Sequence, residues 1–183
     1  MVVDRLLSYV SAGQWANRRT GLGRSRCRGR QKTNTSTAHT ESTEVKALTI
    51  CQPYAELIAC GNKQVENREW PTRYRGPLLI HAGKSRNWLS GETDAELEQQ
   101  YGRRIEFGAI VAKAQLVACL HIDNIALGKH DREFPWLREH EHTNGTWCWV
   151  LDEVERLPEA IPWKGAQGLW DYSFPDSITA SQE

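Results

Sequence analysis

The sequence predicts an α+β fold dominated by β structure, with about six short strands closing as a small barrel and two or three short helices. Three observations carry this. β-prone runs recur along the chain, the longest from Gly108 to Asp123. A strand of that length has to bend around a core, as strands do in barrels. Helical patterns are few, short and not interleaved regularly with strands, and neither G-x-G-x-x-G nor a P-loop occurs. A nucleotide-cofactor fold is therefore not indicated, and no cofactor is expected.

The elements follow in order. Ala47–Cys51 is a short strand. Pro53 suits a first helical position, where its missing N–H costs nothing. Tyr54, Leu57 and Ile58 then make one apolar stripe of a two-turn helix. Gly61 fits the left-handed position that ends it. A second strand spans roughly Lys63–Glu69, a turn covers Trp70–Pro77, and Leu78–Ala82 is a third, largely buried strand. Thr93-Asp94-Ala95-Glu96 matches a capping box and opens a helix with Leu97 and Tyr101 on one face, stopped by Gly102. In Gly108–Asp123, strict alternation sends Ile110, Ala112, Ala114, Leu116, Ala118, Leu120 and Ile122 one way and Lys113, Gln115 and His121 the other. Residues 124–144 are polar around an aromatic knot at Phe134-Pro135-Trp136. Thr146–Val154 is a strand with Trp147, Trp149 and Leu151 on one face. Pro158 and Pro162 bracket a loop, and Leu169–Tyr172 is the last strand.

Residues 1–46 read differently. RSRCRGRQK and TNTSTAHTESTE lack a periodic apolar pattern and cannot offset their ordering entropy. They are expected to be a disordered basic and polar extension: a phosphate-contacting tail, a targeting peptide, or a segment outside the working protein. The ordered domain is expected over 47–175, with a frayed tail over 176–183.

A chain of 183 residues, 39% hydrophobic and 25% charged, is long enough and apolar enough for one domain with a real core. Its zero net charge hides an asymmetry. Residues 1–46 hold nine Lys and Arg against three Asp and Glu; residues 47–183 hold fourteen against twenty. A polyanion bound by the folded part must therefore meet a local basic patch rather than a global field. Five cysteines without a C-x-x-C pair point to a reducing compartment, and the chain is expected to be cytoplasmic. No apolar run approaches the roughly 20 residues of a membrane span.

The densest set of chemistry-bearing residues surrounds Gly61-Asn62-Lys63-Gln64-Val65-Glu66-Asn67-Arg68. On a strand, Gln64, Glu66 and Arg68 share a face, and Lys63 sits at the handover from helix to strand. Such a cluster can hold an anion or a nucleobase, with Lys63 and Arg68 as donors and Glu66 orienting them or accepting from an amino group. It equally fits a solvated face with an ordinary ion pair. Trp70, Arg73, Tyr74 and Arg75 interleave rings with cations, which suits a single-stranded nucleic-acid platform or rings packed on the barrel end. His130, His140 and His142 beside Asp131, Glu139 and Glu141 fix no third ligand by spacing, so no metal is expected. His81 and His121 read as core or rim residues.

These residues resemble the ASCH domain, a relative of the PUA-like RNA-binding barrels, over about Ala47 to Tyr172. The carrying motif is G-x-K-x-x-E-x-R at Gly61, Lys63, Glu66 and Arg68. Gln52-Pro53-Tyr54, Arg75-Gly76-Pro77 leading into Leu78–His81, and the segment from Lys164-Gly165 to Leu169-Trp170 support it. The resemblance implies a barrel with a cleft at the motif that binds RNA or a modified nucleotide. Gln52, Tyr54, Lys63, Glu66, Arg68, Trp70, Arg73 and Arg75 are the expected ligand contacts. Similar bacterial enzymes remove the acetyl group of N(4)-acetylcytidine with a lysine, a threonine and a glutamate, and other relatives act as ribonucleases. Lys63 matches that lysine, whereas the threonine position holds Glu66. The alternative is thus a hydrolase with Lys63 as base and Glu66 activating water. A protein partner for the Trp-rich surface is a third reading.

Overall fold

A computed structural model describes residues 44–173. The extension expected over 1–46 and the tail expected over 176–183 lie outside the described residues, except that Glu44, Val45 and Lys46, expected in the disordered extension, are instead paired residues of the first strand. The chain runs β1 (Glu44–Ile50), α1 (Tyr54–Ala59), β2 (Val65–Arg68), β3 (Gly76–Ala82), α2 (Asp94–Tyr101), β4 (Ala109–His121), α3 (Ile122–Ala126), a 3-10 turn at Leu137–Glu139, β5 (Trp147–Pro162) and β6 (Leu169–Ser173). All six strands belong to one sheet, ordered β2-β5-β4-β3-β1-β6. β1 and β3 are parallel; the other neighbours are antiparallel. The β-dominated α+β class is as expected.

Backbone hydrogen bonds do not close the sheet into a ring, because β2 and β6 are its two ends. β6 pairs with β1 only from Glu44 to Leu48. Thr49 and Ile50 therefore run past it with one edge uncovered. Arg68, at the end of β2, crosses this seam: its Nη2 donates to the Thr49 carbonyl at 2.9 Å. The barrel-like sheet is thus joined here by a side chain, and the space beside that joint becomes the cleft.

Apolar side chains pack on both faces of the sheet. One cluster gathers Leu48, Ile50, Ile58, Leu78, Ile80, Leu116, Trp149 and Leu151, among others. A second gathers Val65, Ala118, Ile125, Leu137, Cys148 and Val150, with Phe134 of the aromatic knot against it. Successive residues of β5 alternate between the two, as the pleat requires. Fully burying a side chain the size of Ile58 or Leu137 stabilises by about 1.5–3 kcal/mol.

Three local expectations change. The alternation expected throughout β4 breaks between Leu116 and Ala118, where two residues of β4 advance against one of β5. This bulge turns Ala118 to the second cluster while Ala112, Ala114 and Leu116 face the first. The loop expected between Pro158 and Pro162 is instead the end of β5. Pro158 is tolerated because the register shifts from Ala112–Arg156 to Ile110–Ile161, so it falls in an irregularity that asks for no ladder N–H. The stripe on α1 is also rotated. Ala55, Glu56, Ile58 and Ala59 are buried, while Leu57 is half-buried. Buried Glu56 is matched by the Arg156 guanidinium and by Cys60 Sγ, which donates at 3.2 Å.

The capping box on α2 forms as expected. Glu96 N donates to Thr93 Oγ1 at 3.3 Å and Thr93 N donates to Glu96 Oε2 at 2.7 Å. The Thr93 N–H, and then the Thr93 hydroxyl at 2.8 Å, donate to the Glu96 carboxylate and hold it below its ordinary range. Among the described residues, no helix is long and apolar enough to cross a membrane.

Candidate functional site

The tight end of α1 sets the cleft. Gly61 takes φ +79°, a left-handed conformation that costs glycine little. Leu57 O then accepts from both Asn62 N at 2.9 Å and Lys63 N at 3.1 Å, which turns the chain sharply into β2. Lys63 arrives inside, 2% exposed. Its Nζ donates to Val65 O and, at 2.6 Å, to Glu66 Oε2. The second carboxylate oxygen of Glu66 lies 3.1 Å from Arg68 Nη2. One buried carboxylate therefore holds two cations in place. A charge removed from water is tolerated when paired and hydrogen-bonded in this way.

These groups line a cavity of about 500 Å³, within the range of small-ligand sites. Thr49, Ile50, Cys51 and Tyr54 form one wall, Lys63, Glu66, Asn67, Arg68 and Glu69 another, and Trp88, His142 and Asn144 the rim. Tyr54 stands edge-on to Trp88 at 6.1 Å and to His142 at 6.4 Å between ring centroids. Lys63 Nζ lies 5.7 Å from the Tyr54 centroid, close enough for a cation–π contact. Trp88 is 64% exposed, a large flat apolar surface turned to solvent at the mouth.

Asn67 ties the rim down. Its Nδ2 donates to His142 O at 2.8 Å and Asn144 Oδ1 at 2.7 Å, and its Oδ1 accepts from Gly145 N at 3.1 Å. A Cβ at Gly145 would lie 2.4 Å from Asn67 Cβ, so this approach needs glycine. His140 follows behind, its ring 5.6 Å from that of His142. Burial, then His142 and Lys63 nearby, push the His140 imidazole below its ordinary value, with Glu141 opposing.

Of the expected contacts, Tyr54, Lys63, Glu66 and Arg68 line the cavity. Gln52, Trp70, Arg73 and Arg75 lie outside its wall. Gln52 is fully buried, its Nε2 donating to Glu106 O at 2.8 Å and its Oε1 accepting from Glu56 N at 3.0 Å. Trp70 packs edge-on against Trp149 at 4.7 Å. Arg73 is exposed, and Arg75 Nη1 donates to Thr72 O at 3.0 Å. Gln64, expected beside Glu66, is exposed because β2 begins only at Val65. His81 is buried with Nε2 3.0 Å from Trp163 O; burial lowers its pKa against that bond. His121 caps α3, its Nδ1 accepting from Asp123 N at 3.3 Å. Among the described residues, no three His, Cys, Asp or Glu gather as a metal site.

Trp88, Asn67 and Asn144 are lining residues that spacing did not indicate, and His142 was indicated only in a metal pattern with His130 and His140. The available signals were weak: a Trp stranded after the polar run Ser85–Asn87, and Asn144-Gly145 as a turn.

Fold and cleft together define a barrel-like domain with a paired-charge pocket at its seam, rimmed by aromatic rings. The chain belongs to the ASCH domain family, whose match spans residues 48–160. It is similar to Activating signal cointegrator 1 of Mus musculus and of Homo sapiens, each 27% identical over 128 residues. Those alignments cover 67% of this chain and 21% of each relative, so the chain spans about a fifth of their length. Among solved structures it is similar to an ASCH protein of Zymomonas mobilis, with 14% identity, a TM-score of 0.41, and 72% and 88% of the two chains covered. A tyrosine-to-phenylalanine mutant of that protein gives 14% and 0.40, with 72% and 90% covered.

Proposed function

We propose that this domain binds RNA by taking one nucleobase, or a modified nucleoside, into the cleft at the seam. The observation that carries this is the convergence of Lys63, Glu66 and Arg68 on a cavity of about 500 Å³ that Tyr54 and Trp88 also line. Lys63 and Arg68 are balanced in formal charge by Glu66 and Glu69, so the cleft offers an electron-rich edge directed N–H donors rather than a net field. The rings supply a flat apolar surface, and base–aromatic stacking contributes about 1–3 kcal/mol per base. Membership of the ASCH family, with its kinship to RNA-binding barrels, supports RNA as the polymer.

The test is titration of a fluorescently labelled single-stranded RNA at two salt concentrations, with free nucleosides as competitors. Affinity should fall as salt rises. Arg68→Ala should weaken binding by about tenfold or more. Binding indifferent to both salt and Arg68→Ala would refute the proposal. Turnover of N(4)-acetylcytidine that disappears in Lys63→Ala would replace it with the hydrolase reading.

A further inference from the structure

The groups that face into the cleft can be sorted into donors and acceptors. Lys63 has three N–H donors and spends two on Val65 O and Glu66 Oε2. Arg68 spends Nη2 on Thr49 O and Glu66 Oε1, which leaves its Nη1 hydrogens and its buried Nε–H unpaired among the described residues. Both oxygens of Glu66 are engaged by these cations. At the rim, the amide orientation of Asn144 follows from its neighbours. Asn67 Oδ1 accepts from Gly145 N, so Asn67 Nδ2 must be the end that meets Asn144. Asn144 therefore presents Oδ1 to Asn67 and keeps its Nδ2 donors for the cleft. Of the other charged or titratable lining groups, Glu69 accepts from Thr146 Oγ1 at 2.8 Å through Oε2, and His142 Nε2 lies 3.7 Å from Glu141 Oε1.

We infer that the cleft reads a ligand edge made of two adjacent acceptor atoms, using Lys63, Arg68 and Asn144 as donors. The inference rests on the nucleobase reading above and narrows it. Cytosine offers N3 beside O2, and guanine offers N7 beside O6. Uracil separates its two oxygens by the N3–H donor. Adenine sets its amino donor beside each ring acceptor, N1 or N7, so one atom of either edge would meet the Lys63, Arg68 and Asn144 donors as a donor. Phosphate oxygens present the same acceptor chemistry.

Isothermal titration of the full chain with cytidine, guanosine, uridine, adenosine and ribose 5-phosphate tests this, with Asn144→Asp as the variant. That substitution keeps the oxygen that Asn67 donates to and replaces the cleft-facing amide donor by an acceptor. Cytidine or guanosine should bind about tenfold or more tighter than adenosine, and Asn144→Asp should narrow or reverse that gap. Ribose 5-phosphate binding as tightly as the best nucleoside would support the acceptor pair and assign it to phosphate. Equal affinity for adenosine and cytidine, unchanged in Asn144→Asp, would overturn the inference while the binding reading stood. If no nucleoside, sugar phosphate or RNA bound, both would fall.

Discussion

At the scale of single residues, the Lys63–Glu66 pair has two duties that can be separated. Both side chains are nearly sealed, 3% and 9% exposed. Removing one partner leaves the other buried without its counter-charge, which costs about 3–5 kcal/mol. Glu66→Ala should therefore lower the urea midpoint sharply. Lys63→Met combined with Glu66→Leu removes both charges and should recover most of that stability, because a buried pair replaced by well-packed apolar groups is often neutral. The double variant should fold and yet fail to bind. A double variant as unstable as Glu66→Ala would show that the pair is needed for the fold itself. These residues were legible because Lys63, Glu66 and Arg68 sit within one turn and one strand, so spacing alone brings them together. Asn144 and Trp88 were not, because Asn144 reaches the cleft only through Asn67, 77 positions earlier in the chain. No periodicity encodes that contact.

At the scale of elements, α1 is the lever that sets the cleft, and its anchor is hidden. Glu56 is fully buried, and Arg156 of β5 pairs with it across the barrel end. Burial opposes the Arg156 charge, but its bonds to Glu56 and Cys60 outweigh this and raise its pKa. The free oxygen of Glu56, Oε2, has no hydrogen-bond partner among the described residues, so the carboxylate depends on Arg156. Arg156→Met should cost about 3–5 kcal/mol and should also weaken ligand binding, since Tyr54 and the turn to Lys63 both leave from α1. Glu56→Gln in the Arg156→Met background should restore part of both, which chemical denaturation and titration together would read. Unimpaired binding in Arg156→Met would mean that α1 is held by its apolar contacts alone. Helix, cap and turn could be read from Ile58, Gly61 and Thr93, because their signals are local; Pro53, expected as the first helical residue, is instead the N-cap of α1. The polarity of Glu56 hid its burial, and Pro158 hid the length of β5. Each depends on a partner strand whose register has bulges that alternation does not reveal.

At the scale of the molecule, β4 and β5 bind the two apolar clusters into one unit. The β4 bulge sends Ala112, Ala114 and Leu116 to one cluster and Ala118 to the other, while β5 gives Trp149 and Leu151 to the first and Cys148 and Val150 to the second. Neither cluster can come apart without disturbing the strands that line the other, so unfolding should be a single transition. Ile58→Val, in the first cluster, should cost about 0.5–1.5 kcal/mol, and Leu137→Ala, in the second, about 2–5 kcal/mol. The two side chains belong to different clusters, so their costs should add to within about 0.5 kcal/mol. Intrinsic fluorescence and far-UV circular dichroism should then report the same midpoint for each of the wild type, the single variants and the double variant. Two transitions, with Leu137→Ala shifting one and Ile58→Val the other, would show that the faces of the sheet fold separately.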